Sequence, residues 1–184
     1  MVQPYRDGEV QRRFFLGTNC HVLCIDQESG AMLWKTALRN SVSSSIVSLL
    51  MHKGLIYAAN WRSVTCLEAD EGAVRWSTTL KRLAEPASLA LDPRVPGGQL
   101  LVGAGGWLYS LSAETGAVQW ENDLPGLGYH PLTLRVPGAV TAQPVTRYVQ
   151  RGKTVQAQVL EDEQGAAGVR DNKWQPTTQP PEPE

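Results

Sequence analysis

Three residues near the amino terminus carry side chains that can bind metals or exchange electrons, namely Cys20, His21 and Cys24. A zinc site would need a second pair of ligands, and a disulfide would need the two thiols to approach closely. Cys24, Cys66 and Ser110 take equivalent places in an internal repeat, which is typical of a small buried strand residue. We therefore interpret the cysteines as structural, although Cys20 stays open as a reactive thiol.

The other patterns that could support catalysis each lack a required feature. His21, His52 and His130 are too scattered for a metal-ligand motif, and the sequence has no nucleophile elbow. Residues 103–106 are rich in glycine, but no helical pattern follows them, which argues against a phosphate or dinucleotide site. The sequence thus predicts no catalytic, cofactor-binding or metal-binding residue.

The best candidates for a binding surface are two tryptophans at predicted turns. Trp61 follows Asn60 in a tight turn, and Trp107 follows two glycines at nearly the matching turn of the next repeat. Aromatic side chains exposed on loops often anchor a partner. The alternative is that both rings pack over the adjacent turns.

The elements that must position these residues follow one pattern, which occurs three times at a period of roughly 42 residues. Each copy has an apolar run of strand length, a turn that ends in glycine, and a second strand that carries a tryptophan. The copies cover residues 22–34, 64–76 and 108–120. A small residue precedes each copy at a matching place, where we expect close approach of backbones: Gly17, Ala58 and Gly103.

Additional strand patterns lie upstream of the hairpins, at residues 44–50 and 86–91 among others. Each repeat therefore predicts four antiparallel strands, which is the signature of a β-propeller blade. We predict an all-β fold, a partial or small β-propeller of three to four four-stranded antiparallel blades.

The repeat resembles the tryptophan-docking motif of the pyrroloquinoline-quinone-like (PQQ-like) propellers. The residues that carry the resemblance are Asp26, Gly30 and Trp34, then Glu68, Gly72 and Trp76, and finally Thr115, Gly116 and Trp120. The second copy has Glu68 where aspartate is usual, and the third has Ser112 at that place. The resemblance implies that each tryptophan is structural and packs on a glycine turn of a neighbouring blade. The family includes quinone-dependent dehydrogenases and a scaffold lipoprotein of outer-membrane barrel assembly.

The predicted units follow the repeat. They are a lead-in at residues 1–13, a partial first blade at 14–38, a second blade at 39–80, a third at 81–124, a degenerate fourth blade or extension at 125–164, and a disordered proline-rich tail at 165–184. Within the fourth unit, residues 132–136 are expected to form a first strand, and residues 146–160 a hairpin.

The small number of blades predicts self-association. Closed propellers have four to eight blades, and an open array leaves strand edges exposed. We expect a homo-oligomer, with a dimer that completes a ring of six to eight blades.

Composition narrows the partners and the compartment. The net charge of −1 offers no basic patch for nucleic acid, and no apolar run is long enough for a transmembrane helix, so neither nucleic acid nor membrane is an expected partner. The amino terminus lacks the apolar core of a secretory signal, which predicts a cytoplasmic protein. If the true start lies further upstream, the family resemblance favours an extracytoplasmic location.

The leading hypothesis is a non-catalytic PQQ-like propeller module that serves as a protein-binding or assembly scaffold and holds a protein or peptide partner. One alternative is a remnant or subunit of a quinoprotein-type oxidoreductase, although the sequence lacks the vicinal cysteine pair that the resemblance implies for such enzymes. Another alternative is a carbohydrate-binding propeller with Trp61 and Trp107 as stacking platforms.

Overall fold

The computed structural model describes residues 12–39, 46–83, 86–128 and 132–142, together with the backbone of two strands at 147–150 and 153–156. Every regular element in this part of the chain is a β-strand, so the predicted all-β fold is confirmed. No helix among these residues has the length and apolar character needed to cross a bilayer.

The strands are short, as expected for propeller blades. In chain order they are β1 (Arg13–Thr18), β2 (His21–Asp26), β3 (Met32–Ala37), β4 (Ser48–His52), β5 (Leu55–Asn60), β6 (Ser63–Glu68), β7 (Val74–Thr79), β8 (Ser88–Asp92), β9 (Gln99–Ala104), β10 (Trp107–Ser112), β11 (Val118–Asn122), β12 (Val140–Ala142), β13 (Arg147–Gln150) and β14 (Lys153–Gln156).

Three antiparallel sheets follow one another along the chain and form three blades of a partial propeller. Their strand orders are β1-β2-β3, β4-β5-β6-β7 and β11-β10-β9-β8-β12. Four strands per blade were expected, and the second sheet has that number, whereas the described part of the first has three and the third has five. A separate hairpin joins β13 to β14, within the residues where alternation predicts one.

The sequence predicted a strand of the fourth unit at residues 132–136, but the strand that forms in this region joins the third sheet instead. Residues 132–136 belong to no sheet in the described chain, although their side chains alternate between half-buried and exposed. The strand that forms is β12, which pairs antiparallel with β8 so that Val140 faces Leu91. Alternation shows that a segment suits a sheet, but it does not show which free edge the segment will use.

The register of the hairpins agrees with the repeat alignment. The three tryptophans face the three small residues of the preceding strand, as Cys24 with Trp34, Cys66 with Trp76 and Ser110 with Trp120. Each hairpin has a bulge at the next residue of that strand. The bulges sit at the same place in all three copies, so the three hairpins share one geometry.

The small residue that precedes each repeat is Ala59 in the second copy, not Ala58. The register pairs are Gly17 with Val22, Ala59 with Val64 and Gly103 with Leu108. The spacing in the sequence agrees with this pairing, because Gly17, Ala59 and Gly103 each lie five residues before the start of their repeat.

The core lies between the blades. One cluster joins the first and second sheets and includes the fully buried Val22, Ile56 and Leu67. A larger cluster joins the second and third sheets around residues such as Leu89 and Val102. Each sheet therefore depends on its neighbours for stability, as in other repeat architectures.

One charged contact also joins the first two blades. The sequence places Arg13 at a strand entry, where a solvated side chain is the simplest expectation. In the structure the Arg13 side chain is only 6% exposed, and its Nη2 donates to Asp70 Oδ1 at 2.7 Å.

The structure does not describe most of the predicted lead-in or any of the predicted tail. Residues 1–11 of the lead-in and the whole tail at 165–184 lie outside the described residues. The bounds of the predicted units therefore stay predictions.

Candidate functional site

Trp34 lies on the glycine turn of the second blade. Its indole Nε1 donates to the carbonyl of Ala69 at 3.2 Å, and Thr36 Oγ1 donates to the carbonyl of Gly72 at 2.7 Å. A Cβ atom added to Gly72 would lie 2.6 Å from the Trp34 ring. Gly72 also has a φ of 70°, so both its backbone conformation and the close ring favour glycine.

The same contact joins the second blade to the third. Trp76 Nε1 donates to the carbonyl of Ala113 at 3.1 Å, and Thr78 Oγ1 donates to the carbonyl of Gly116 at 2.6 Å. Gly116 has a φ of 73° and is buried beneath the ring. Two of the three repeat tryptophans thus connect successive blades.

The polar residue that begins each turn has a local structural role. Asp26 Oδ1 accepts bonds from the Ser29 hydroxyl at 2.6 Å, from the Ser29 amide at 2.7 Å and from the Glu28 amide at 3.1 Å. These bonds, with the hydroxyl contributing most, lower the pKa of Asp26. In the third copy, Ser112 Oγ accepts from the Thr115 amide at 3.3 Å. Asp26 and Ser112 therefore both cap turns.

In the second copy the backbone closes the turn in the same way. The amide of Gly72 donates to the carbonyl of Glu68 at 2.9 Å, and Gly30 and Gly116 make the matching bonds in their own turns. Glu68 itself is exposed. The turn shape therefore does not require an acidic residue at this place.

The first glycine turn and the last tryptophan differ from these docked pairs. A Cβ atom added to Gly30 would meet nothing within 4 Å among the described residues, although its φ of 69° matches that of Gly72. Trp120 is 42% exposed. The array therefore has an open glycine turn at one end and an exposed tryptophan at the other.

The two tryptophans predicted as binding residues line one cleft between the second and third blades. Trp61 lies in the turn between β5 and β6 and is 43% exposed, while Trp107 begins β10 and is half-buried. The cleft has a volume of about 300 Å³. Its lining residues are Trp61, Arg62, Lys81, Arg82, Leu83, Gly105 and Trp107.

The backbone ties the turn that carries Trp61 to the connection between the blades. The Arg62 amide donates to the Leu83 carbonyl at 3.3 Å, and the Leu80 amide donates to the Arg62 carbonyl at 2.8 Å. Arg62 has a φ of 56°, which is uncommon for a residue with a side chain. The turn is thus held against residues 80–83.

Trp107 is held in place by two neighbours. Its ring stacks on Tyr109 with centroids 6.0 Å apart, and the guanidinium carbon of Arg82 lies 5.4 Å from the Trp107 centroid. The Tyr109 hydroxyl donates to the Arg82 carbonyl at 2.8 Å and accepts from the Arg82 amide at 3.2 Å. Burial raises the pKa of this hydroxyl, so it stays a neutral donor.

The cleft is positively charged. Arg62, Lys81 and Arg82 all line it, and none of its described lining residues is acidic. Lys81 Nζ also lies 3.2 Å from Glu121 Oε1 in an exposed ion pair. An aromatic surface beside three cations suits an anionic ligand that also has an apolar or aromatic group.

The sequence predicted the aromatic half of this cleft and missed the cationic half. Lys81 and Arg82 lie at the boundary between the predicted second and third blades. Their signal in the sequence is an adjacent pair of basic residues at that boundary, which does not show where the connection runs. The fold was needed to show that it passes beside Trp61 and Trp107.

The cysteines lie in the interior. Cys20, the residue left open as a reactive thiol, is 1% exposed, and Cys24 and Cys66 are fully buried. None of the three is part of a disulfide. Burial raises the pKa of Cys24, and it raises that of Cys66 to about 12. Such thiols react slowly in the folded chain.

The histidine beside them makes a local bond. His21 Nδ1 lies 2.7 Å from the carbonyl of Asn19. Among the described residues, no three His, Cys, Asp or Glu side chains converge on a point that could hold a metal ion.

The comparisons with known families agree with this geometry. A family model described as outer membrane protein assembly factor BamB matches residues 18–162, which is most of the chain. A comparison with curated proteins gives no match.

Several solved structures resemble this one. BamB from Moraxella catarrhalis is 23% identical, with a TM-score of 0.48, over 61% of this chain and 34% of that one. The computationally designed Ika8 protein is 14% identical, with a TM-score of 0.53, over 74% of this chain and 41% of that one. The quinohemoprotein alcohol dehydrogenase ADHIIG from Pseudomonas putida HK5 is 16% identical, with a TM-score of 0.49, over 79% of this chain and 29% of that one.

This chain spans less than half the length of each of these proteins. The likeness to the designed protein shows a shared fold alone, and the family follows from the match over residues 18–162. Together with the two docked tryptophans, that match makes the chain a member of the PQQ-like repeat β-propeller family described as outer membrane protein assembly factor BamB.

Proposed function

We propose that the chain is a non-catalytic scaffold module that binds an acidic segment of a protein or peptide partner. The observation that carries the proposal is the cleft in which Trp61 and Trp107, from the turns of neighbouring blades, lie beside Arg62, Lys81 and Arg82. The same family includes proteins named for assembly, which is consistent with a binding role.

The aromatic residues supply the apolar part of the contact. Trp61 is 43% exposed, so its ring can bury much of its surface against a partner. Tryptophan and arginine are the residues that most often dominate the binding energy of protein interfaces. A side chain of apolar or aromatic character in the partner would fill the space beside Trp61.

The cations supply charge selectivity. Asp or Glu side chains in the partner would pair with Arg62 and Arg82, and opposite charge across an interface speeds association and excludes basic partners. Lys81 can exchange its exposed bond to Glu121 for one to the partner at little cost, because exposed ion pairs are weak.

The alternative of a sugar-binding platform is less favoured by the geometry. A stacking platform needs an open ring face, and Trp107 already has Tyr109 and Arg82 against its ring. Trp61 alone is more exposed. The oxidoreductase alternative is not favoured by a specific contact among the described residues.

The experiment is selection of peptides from a random displayed library on the full-length chain, followed by titration of the selected peptides. We expect enrichment of Asp and Glu near an aromatic or large apolar residue, and weaker binding at higher salt. Trp61→Ala should weaken binding by at least about tenfold, the effect expected of an interface anchor.

Leu127→Ala is the control, because Leu127 is an exposed apolar residue, at 70%, and lies outside the cleft. Its binding affinity should equal that of the wild type. The proposal fails if no peptide is selected, or if Trp61→Ala and Leu127→Ala bind alike. A rise in melting temperature with quinone and calcium would instead support the oxidoreductase, and glycan binding lost in Trp61→Ala would support the sugar-binding protein.

A further inference from the structure

The tryptophan contact between blades is made twice within the chain, and one half of the same contact is left over at each end. Trp34 docks on the Gly72 turn and Trp76 docks on the Gly116 turn. The Gly30 turn and Trp120 are the two halves that remain. They are complementary to each other.

The Gly30 turn has the shape of an occupied docking site. Its φ of 69° is close to the 70° of Gly72 and the 73° of Gly116. Gln27 stands where Ala69 and Ala113 accept the indole bond in the other copies. Both alanines are buried, at 0% and 5%, whereas Gln27 is exposed. The acceptor carbonyl of the first copy therefore lies at an open surface.

The outer face of the first blade is apolar in the same way as the buried faces of the others. Aligned on Gly17 and Ala59, Phe14 and Leu16 of β1 correspond to Ile56 and Ala58 of β5. Ile56 and Ala58 are fully buried against the first blade, whereas Phe14 and Leu16 are 47% and 45% exposed. This face lacks the blade that covers it elsewhere in the described chain.

The other half is present on the third blade. Trp120 faces Ser110 in the register that Trp34 and Trp76 share with their own partners. Asn122 stands where Thr36 and Thr78 donate to a glycine carbonyl, and its side-chain amide can donate in the same way. Val118 on the same strand is 43% exposed.

The chain after the third blade also follows the earlier pattern. Leu132 packs over Gly103, as Val47, which leads into the second blade, packs over Gly17. The chain therefore leaves the third blade as it leaves the first, with an apolar side chain packed over the matching glycine.

We propose that Trp120 of one chain docks on the Gly30 turn of a second copy. Trp120 Nε1 donates to the Gln27 carbonyl of the other copy, Asn122 Nδ2 donates to its Gly30 carbonyl, and Phe14 and Leu16 are covered by the third blade. The contact joins two different surfaces of the chain, the Trp120 side of one copy and the Gly30 side of the next. The same contact therefore repeats from copy to copy until the ring closes. Two copies, each with the three blades that the structure describes, give six blades, within the four to eight of closed propellers.

The test uses the full-length chain and measures its mass by size-exclusion chromatography with light scattering over a range of concentrations. The wild type should form a dimer. Trp120→Ala and Gly30→Asn should each be monomers at the concentration at which the wild type is dimeric. Asn is chosen because it tolerates positive φ better than other residues with side chains. Circular dichroism should show that both variants are folded.

An equimolar mixture of the two variants provides the sharpest readout. Trp120→Ala retains the Gly30 turn and Gly30→Asn retains Trp120, so the mixture should form heterodimers that neither variant forms alone. Leu127→Ala, which truncates an apolar side chain that is 70% exposed, should stay dimeric. The proposal is overturned if the wild type is a monomer, if either variant dimerises like the wild type, or if the mixture contains no heterodimer. None of these results depends on the cleft at Trp61.

Discussion

Asp92, at the end of β8, accepts a set of bonds from a single arginine. Arg94 donates to it from the backbone amide at 3.0 Å, from Nε at 2.8 Å and from Nη2 at 2.7 Å. These hydrogen bonds, those of the side chain most of all, lower the pKa of Asp92 to about 2. A Cβ atom at Gly138 would lie 3.1 Å from Arg94 Nη1. The pair therefore connects the loop after β8 to the turn before β12.

The ion pair predicts a pH dependence of stability. The folded pKa of Asp92 lies below the ordinary value of about 3.9, so the charged form stabilises the fold above about pH 4, and this stabilisation is lost as the pH falls towards 2. Asp92→Asn should therefore be less stable than the wild type at pH 7, and the difference should shrink between about pH 4 and pH 2. Urea unfolding at several pH values measures it. A difference that is constant with pH would contradict the assigned role.

At the scale of the strand, one position tests how closely neighbouring blades approach. A Cβ atom on Gly17 would lie 2.9 Å from the Val47 Cβ and 3.0 Å from the Val47 carbonyl oxygen. A Cβ atom on Gly103 would lie 2.5 Å from Leu132 Cδ1, a terminal methyl group that can rotate away. The second blade already carries a side chain, Ala59, at this place.

Gly17→Ala should therefore destabilise the chain by about 1–3 kcal/mol, the usual cost of overpacking against atoms that cannot move. Gly103→Ala should cost less than about 1 kcal/mol, because side-chain rotation relieves the clash. The free energies of unfolding in urea give the comparison. Equal losses, or a larger loss at Gly103, would show that the two blade contacts are not packed as described.

The sequence was sufficient for the hairpins because their signals are local. The repeat alignment gave Cys24, Cys66 and Ser110 one equivalent place, and the observed register agrees, since each pairs with the tryptophan of its own repeat. It was not sufficient for residues 132–136 or for β12, because the choice of strand edge depends on which edges the rest of the fold leaves open. The shift from Ala58 to Ala59 has a different cause, since the spacing to Val64 already favours Ala59 and the alignment was one residue out.

The same limit applies to the cleft. Trp61 and Trp107 could be predicted because aromatic residues at turns are visible in the sequence. The contributions of Lys81 and Arg82 could not, because they come from the connection between blades, whose path is set by packing. A site built between repeats is only partly encoded in any one repeat.

For the whole molecule, the arrangement of blades determines both proposed functions. The cleft exists because the second and third blades are held side by side, and the proposed docking surfaces at Gly30 and Trp120 exist because no blade covers them among the described residues. In a repeat protein, stability is approximately the sum of the units and of the contacts between neighbours. The contact between tryptophan and glycine turn is therefore the central claim of this account.

The most direct test compares Gly72→Ala with Gly30→Ala by urea unfolding, at a concentration low enough to keep the chain monomeric. Both glycines have a positive φ, so both substitutions carry the same backbone strain of about 1–2 kcal/mol. Only Gly72 lies beneath a docked ring, 2.6 Å from where its Cβ would be. We predict that Gly72→Ala loses about 1–3 kcal/mol more than Gly30→Ala. Equal losses would contradict the claim that tryptophan docking holds the blades together.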